Sequence, residues 1–181
     1  MKKLKFSLAL ALLATFANAA VYELDPIHSS TSFKIKHLSI SNVVGSFKSF
    51  KATADMDGEK LKSLSATIKT DSIFTDNDAR DKHLRSADFF EVEKYPEIKF
   101  EMTGISGDDI KGNLTIKNVT KPVILEYEFG GKTVGQDGKA KVGFSLEGEI
   151  KRSDFDFAPS TSTVTLGDKI KIDIEVEAVA K

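Results

Sequence analysis

The chain has 181 residues, with 26 Lys and Arg against 27 Asp and Glu, and it contains no Cys. This near balance of charge provides no basic stripe of the kind that nucleic acid or an anionic membrane surface requires. The absence of Cys excludes disulfides, thiol chemistry, Cys-ligated metals and lipidation at Cys.

In chain order, Lys2, Lys3 and Lys5 precede an apolar run from Phe6 to Phe16, and Ala17-Asn18-Ala19 supplies an A-x-A site. This is the layout of a secretory signal peptide. Segment 1–19 is expected to be removed after Ala19, leaving one domain over 20–181 in the periplasm or outside the cell. The run is too short to span a bilayer, and no second apolar stretch of about eighteen residues follows it.

From Ser30 onward the pattern has period two, the mark of strands with one dry and one wet face. It is clearest near the end, where Ile170, Ile172, Ile174, Val176 and Ala178 alternate with Lys169, Lys171, Asp173, Glu175 and Glu177. Ile98-Phe100-Met102, Ile110-Gly112-Leu114-Ile116, Val123-Leu125-Tyr127-Phe129 and Val142-Phe144-Leu146-Gly148-Ile150 repeat it. Phe33-Ile35, Val43–Met56 and Leu61–Phe74 are less regular strands. Asp57-Gly58, Ser106-Gly107, Gly130-Gly131, Asp137-Gly138 and Gly167-Asp168 are turn chemistry. Such short links join antiparallel neighbours, so the sheet is expected to be a meander.

One segment breaks this rhythm. Asp78 to Arg85 has helical composition, with Asp81 and Arg85 at i,i+4 spacing. Asp76, Asn77 or Asp78 can cap it, and Ser86 can cap a second short turn through Phe89-Phe90. One or two helical turns cannot cover the dry face of about eight strands, so the sheet must cover itself. The expected fold is all-β: a single extended antiparallel eight-stranded β-barrel with one short helical segment around residues 77–90. A barrel of that size is either filled by its own side chains or holds one small ligand, and periodicity does not distinguish the two.

Arg80, Asp81, His83, Arg85 and Asp88 crowd the helical segment. A general base with a cationic clamp would use such residues. The same residues also serve as ion pairs and caps that pin a non-strand segment over the barrel end, and this is the reading we carry forward. No G-x-S-x-G elbow or H-E-x-x-H spacing accompanies them. His28, His37 and His83 lie on separate elements, and no acidic loop has calcium-site spacing, so no metal or other cofactor is expected. Arg152, in Arg152-Ser153-Asp154-Phe155, is expected to form a strand-end salt bridge.

Several of these segments resemble those of YceI-like, polyisoprenoid-binding proteins. They are Leu24-Asp25-Pro26-Ile27-His28-Ser29-Ser30, Val44-Gly45-Ser46-Phe47, Asn77 through Phe90 with Glu93-Lys94-Tyr95-Pro96, Val119-Thr120-Lys121-Pro122-Val123, Arg152-Ser153-Asp154-Phe155 and Leu166-Gly167-Asp168. Two positions depart from the family pattern: Val21-Tyr22 stand where a Trp is common, and Asp156 stands where a Gly often follows. The resemblance implies an exported, non-catalytic lipocalin-like barrel that holds an isoprenoid or other long-chain amphiphilic lipid, often as a homodimer. The expected lining is Phe33, Ile35, Phe100, Met102, Leu114, Ile116, Leu125, Tyr127, Phe144, Leu146, Ile172 and Ile174, with Phe89 and Phe90 near the mouth. His83, Arg85 and Arg152 are candidates for contact with a polar head group.

Three other readings compete with the carrier: a filled barrel with a structural, stress or host-interaction role, an enzyme using His83, and an outer-membrane barrel. The last conflicts with the charged row Lys169 to Glu177 and with the lack of aromatic girdles.

Overall fold

The computed structural model describes residues 19–181, so the predicted leader lies outside the described residues apart from Ala19. The strands are β1 Ala19–Leu24, β2 Ser30–His37, β3 Ser41–Phe47, β4 Phe50–Asp57, β5 Lys60–Lys69 and β6 Ile73–Phe74, then β7 Glu97–Ser106, β8 Asp109–Ile116, β9 Val119–Val134, β10 Ala140–Lys151 and β11 Leu166–Ala180. Helix α1, Asp78–Arg85, lies between β6 and β7. The sheet is antiparallel throughout, and β1 pairs with β11 to close it.

The first six strands act in pairs as three broken staves. β2 pairs with β3 while β1 pairs with β4, and β3 pairs with β6 while β4 pairs with β5. With these pairs joined, the barrel has eight staves in chain order, each antiparallel to the next. The strands expected over Val43–Met56 and Leu61–Phe74 are therefore present, each interrupted once. The interruptions lie side by side, since Lys48 N–H donates to Ser72 O at 3.0 Å and Lys69 N–H to Ser49 O at 2.9 Å. Between β1 and β2, the Ser29 hydroxyl both donates to Glu177 O and accepts Glu177 N–H, replacing the backbone partner that β11 loses there.

Side chains follow the predicted alternation. On β8, Ile110, Leu114 and Ile116 are buried while Lys111 and Asn113 are exposed, and on β11 Lys169, Lys171, Asp173 and Glu175 point out. A charged outer row cannot face hydrocarbon, which excludes a lipid-embedded barrel.

The two ends differ. At the end that holds the β4–β5, β7–β8 and β9–β10 turns, Tyr22, Met56, Ile110, Val142 and Ala178 are each at most 1% exposed, as in a packed core. At the opposite end Phe33, Ile170, Ile172 and Ile174 face inward yet stay only half-buried. Two segments lie over that second end: residues 75–96, which include α1, and residues 152–165.

Asn77 caps α1, its Oδ1 accepting Arg80 N–H at 2.9 Å. The expected Asp81–Arg85 pair does not form. Asp81 is buried and accepts the N–H and hydroxyl of Thr75, while Arg85 donates to the carbonyls of Asp71 at 2.7 Å and Ile73 at 2.8 Å. Backbone groups freed where the stave ends outcompete an exposed ion pair worth only about 0–1 kcal/mol. Ser86 opens the expected short turn through Phe89-Phe90, its hydroxyl accepting Asp88 N–H at 3.4 Å and its carbonyl Phe89 N–H at 3.1 Å. It also ends α1, its hydroxyl donating to His83 O at 2.7 Å.

Candidate functional site

The half-open end encloses a cavity of about 670 Å³, well within the range of small-ligand pockets. All residues expected to line it from their alternation do so except Met102 and Tyr127. Met102 precedes the register shift on β7, and Tyr127 packs its ring on Phe144 at 5.5 Å between the hollow and filled ends. The Tyr127 hydroxyl is buried without a hydrogen-bond partner among the described residues, and burial pushes its pKa up.

Three glycines help keep the space open. A Cβ on Gly45 would overlap the ring of Phe33, one on Gly112 the ring of Phe100, and one on Gly148 the end of Leu125. In each case a large lining side chain lies back over bare backbone of the neighbouring strand and out of the lumen. The sequence reading missed Ala52, Ala66 and Ile68 on the less regular staves, and Phe155, Phe157 and Leu166 around the cap. The parity of Ala66 and Ile68 on one strand was available as a signal. Nothing periodic marks Phe157.

Aromatic rings roof the cavity. Phe47 meets Phe90 at 5.7 Å, Phe90 meets Phe157 at 4.7 Å, and Phe157 meets Phe89 at 5.7 Å, with the His83 ring edge-on to Phe89 at 5.0 Å. Polar groups at the rim come from Arg80, His83, Asp88, Ser160, Thr161 and Thr165. His83 Nε2 lies 3.0 Å from Asp88 Oδ2, and both side chains are exposed. His37 is likewise an exposed rim residue.

Of the head-group candidates, His83 and Arg152 border the cavity, whereas Arg85 is committed to the two carbonyls beneath α1. Arg152 forms no strand-end salt bridge among the described residues, contrary to expectation. It is 3% exposed and donates to the carbonyls of Phe157, Ala158, Thr161, Leu166 and Gly167. Every guanidinium N–H is thereby used, leaving Arg152 to hold the 157–167 loop and to contribute positive charge at the roof. Asp168 stands behind it. Burial pushes that carboxyl up, but the hydroxyl and N–H of Ser153 and the Arg152 charge outweigh this and hold it below the usual carboxylate range.

Asp25, His28 and Glu177 converge on the outside of the barrel, with His28 Nδ1 at 2.9 Å from Asp25 and 3.7 Å from Glu177. The Lys141 ammonium already sits on Glu177 at 2.6 Å, so the group is an ion-pair cluster bracing the break between β1 and β2.

Solved structures share the overall fold of this chain. The family model for the YceI-like domain matches residues 22–178. The chain belongs to the YceI-like family. It is 40% identical to Protein YceI of Salmonella newport (strain SL254) over 190 residues, covering 99% of this chain and 98% of that one. Among solved YceI-like structures, the Campylobacter jejuni YCEI protein superposes with a TM-score of 0.74 at 44% identity, covering 98% of this chain and 99% of that one. A polyisoprenoid binding domain from Saccharophagus degradans shares the fold at 14% identity, with a TM-score of 0.69 over 91% of this chain and all of its own length.

Proposed function

We propose that this protein is an exported, non-catalytic carrier that sequesters a long-chain amphiphile in its cavity. The ligand class is an isoprenoid, a prenyl quinone or a fatty-acid-like lipid. The observation that carries this reading is a cavity of about 670 Å³ with walls chiefly of Phe, Ile, Leu, Val and Ala and most of its polar groups at one rim. An apolar chain entering such a space gains about 0.8 kcal/mol per buried methylene, so affinity grows with chain length while the head stays at the rim. The shared fold of the polyisoprenoid binding domain supports the same class.

The rim geometry favours binding over catalysis. Ser86, the nearest hydroxyl in sequence, donates to the His83 carbonyl, and the His83 ring is turned to Asp88. Ser86 is therefore not poised as a nucleophile for this imidazole. The layout of residues 1–19 supports export.

The test is to purify the mature protein from its native compartment, extract it under denaturing conditions and identify what is released by mass spectrometry. A stoichiometric prenyl lipid, quinone or fatty acid is expected. Repeated release of no amphiphile, together with no uptake of an added prenyl alcohol, would overturn the carrier reading.

A further inference from the structure

The end of the barrel that opens the cavity also presents an apolar, uncharged edge that the carrier reading leaves unexplained. In a chain that is 29% charged, residues 38–47 and 157–167 contain no charged side chain. The two stretches are neighbours, because Leu38 N–H donates to Thr165 O at 3.0 Å. From this edge Ile40 stands 83% exposed, Val164 64%, Val44 55% and Leu38 49%. These residues form an apolar patch beside the cavity mouth, unlike scattered single hydrophobes.

The turn that carries them is also strained. Leu38 and Ser39 both take left-handed backbone, with φ of 50° and 60°. Asn-Gly is the ordinary solution at such a hairpin tip, and a bulky Leu is disfavoured there. The fold thus accepts strain while leaving Leu38 in solvent.

Directly below the edge, the outer face of β2 and β11 carries Lys34, Lys36, Lys169 and Lys171. Lys34 stands opposite Lys171 in the ladder. Like charges placed so destabilise a sheet. Lys169 reaches Glu149 at 2.7 Å, but Lys34, Lys36 and Lys171 have no carboxylate within 4.0 Å among the described residues. Acids do stand at this end, since Glu149 is the ladder partner of Lys171, Asp168 precedes Lys169, and Asp154, Asp156 and the 75–96 segment carry others, but none lies on β2 or β3.

We infer that this edge docks on an anionic lipid bilayer, with Leu38, Ile40 and Val164 entering the interface and the lysines of β2 and β11 resting on the head groups. Apolar tips beneath a cationic collar match the two forces that hold a peripheral protein to such a surface. A second copy of the chain fits less well. A two-fold interface joins the same patch of both copies and so doubles its unpaired cationic charge at the seam. Docked this way, the cavity mouth opens towards the phase that holds amphiphiles. The inference rests on the carrier reading only for that last consequence.

The experiment uses the mature protein and vesicles of phosphatidylcholine alone or with about one third phosphatidylglycerol, scored by flotation. The expected result is binding to the anionic vesicles, weakened by high salt, and at least tenfold weaker for Ile40→Asp and for Lys34→Glu/Lys171→Glu. Both variants alter exposed side chains, and an unchanged melting curve confirms their fold. Absence of flotation, or flotation unchanged in both variants, overturns the inference. So does an Ile40→Asp variant whose main change is loss of a dimer. Uptake of a prenyl alcohol by vesicle-free protein is scored separately, so failure of the carrier reading and failure of docking give different results.

Discussion

The ring of Phe33 covers the bare backbone of Gly45, its direct partner across β2 and β3. Leu125 likewise covers its partner Gly148, and Phe100 covers Gly112 diagonally across β7 and β8, so three lining side chains lie along the wall and not across the lumen. Glycine ordinarily weakens a strand. Here it makes room beside the cavity.

Gly112→Ala tests this directly. The added methyl overlaps the Phe100 ring and crowds the carbonyl of Glu101 at 2.9 Å, so the ring must swing into the cavity. A loss of about 1–3 kcal/mol in urea denaturation is expected from overpacking, together with weaker uptake of a long prenyl chain than of a short one. Equal loss for both chain lengths would show that the ring does not enter the lumen.

Arg152 holds the cap through backbone alone. Truncating it to Met removes the donor to five carbonyls and leaves several of them buried and unpaired, a change expected to destabilise by about 3–5 kcal/mol. The 157–167 loop should become the first site of proteolytic nicking. Arg152→Lys should recover little, since one ammonium cannot reproduce a planar fork of donors. Wild-type denaturation and nicking in Arg152→Met would place the support for the cap elsewhere.

The parity of each strand was legible in the sequence because one face is wet and the other dry, and the Ile row of β11 reads off directly. Hollowness was not legible. It depends on cross-strand pairs such as Phe33 with Gly45, which appear only once the register is known. Nor could the role of Arg152 be read, because its partners are carbonyls and every residue has one. Asp156 lies between these cases. Its departure from the family pattern was visible, and the structure gives the reason for the Gly there: the backbone is left-handed, with φ of 50°. Asp156→Gly is therefore expected to raise stability by up to about 1 kcal/mol, offset in part by greater freedom of the unfolded chain. A drop in melting temperature would contradict this.

Acid sensitivity follows from carboxyls whose pKa is lower in the folded protein than in the unfolded chain. The carboxyl of Asp25 is lowered first by the hydrogen bond from His28, and that of Glu97 by the one from Lys69. At Asp168 burial acts in the opposite direction, and the bonds from Ser153 outweigh it. A group lowered on folding contributes stability that is fully present above its unfolded value, about 4, and is lost as pH falls through the folded value. The melting temperature should thus be level in these groups above about pH 5 and fall below about pH 4. Ser153→Ala should flatten the part of that fall due to Asp168, and an unchanged acid limb would remove Asp168 from the account.

Tyr127 offers the opposite kind of test, because its hydroxyl is buried with nothing to bond to among the described residues. Burying an unpartnered hydroxyl is unfavourable, whereas the ring packed on Phe144 is an ordinary part of the core. Tyr127→Phe keeps the ring and removes the hydroxyl, so stability should be unchanged or rise by about 1 kcal/mol in equilibrium denaturation. The pocket walls are untouched by this change, so prenyl uptake should stay at the wild-type level. A loss above about 1 kcal/mol would instead mean that an internal water satisfies the hydroxyl, so that the core between the hollow and filled ends is hydrated at this point.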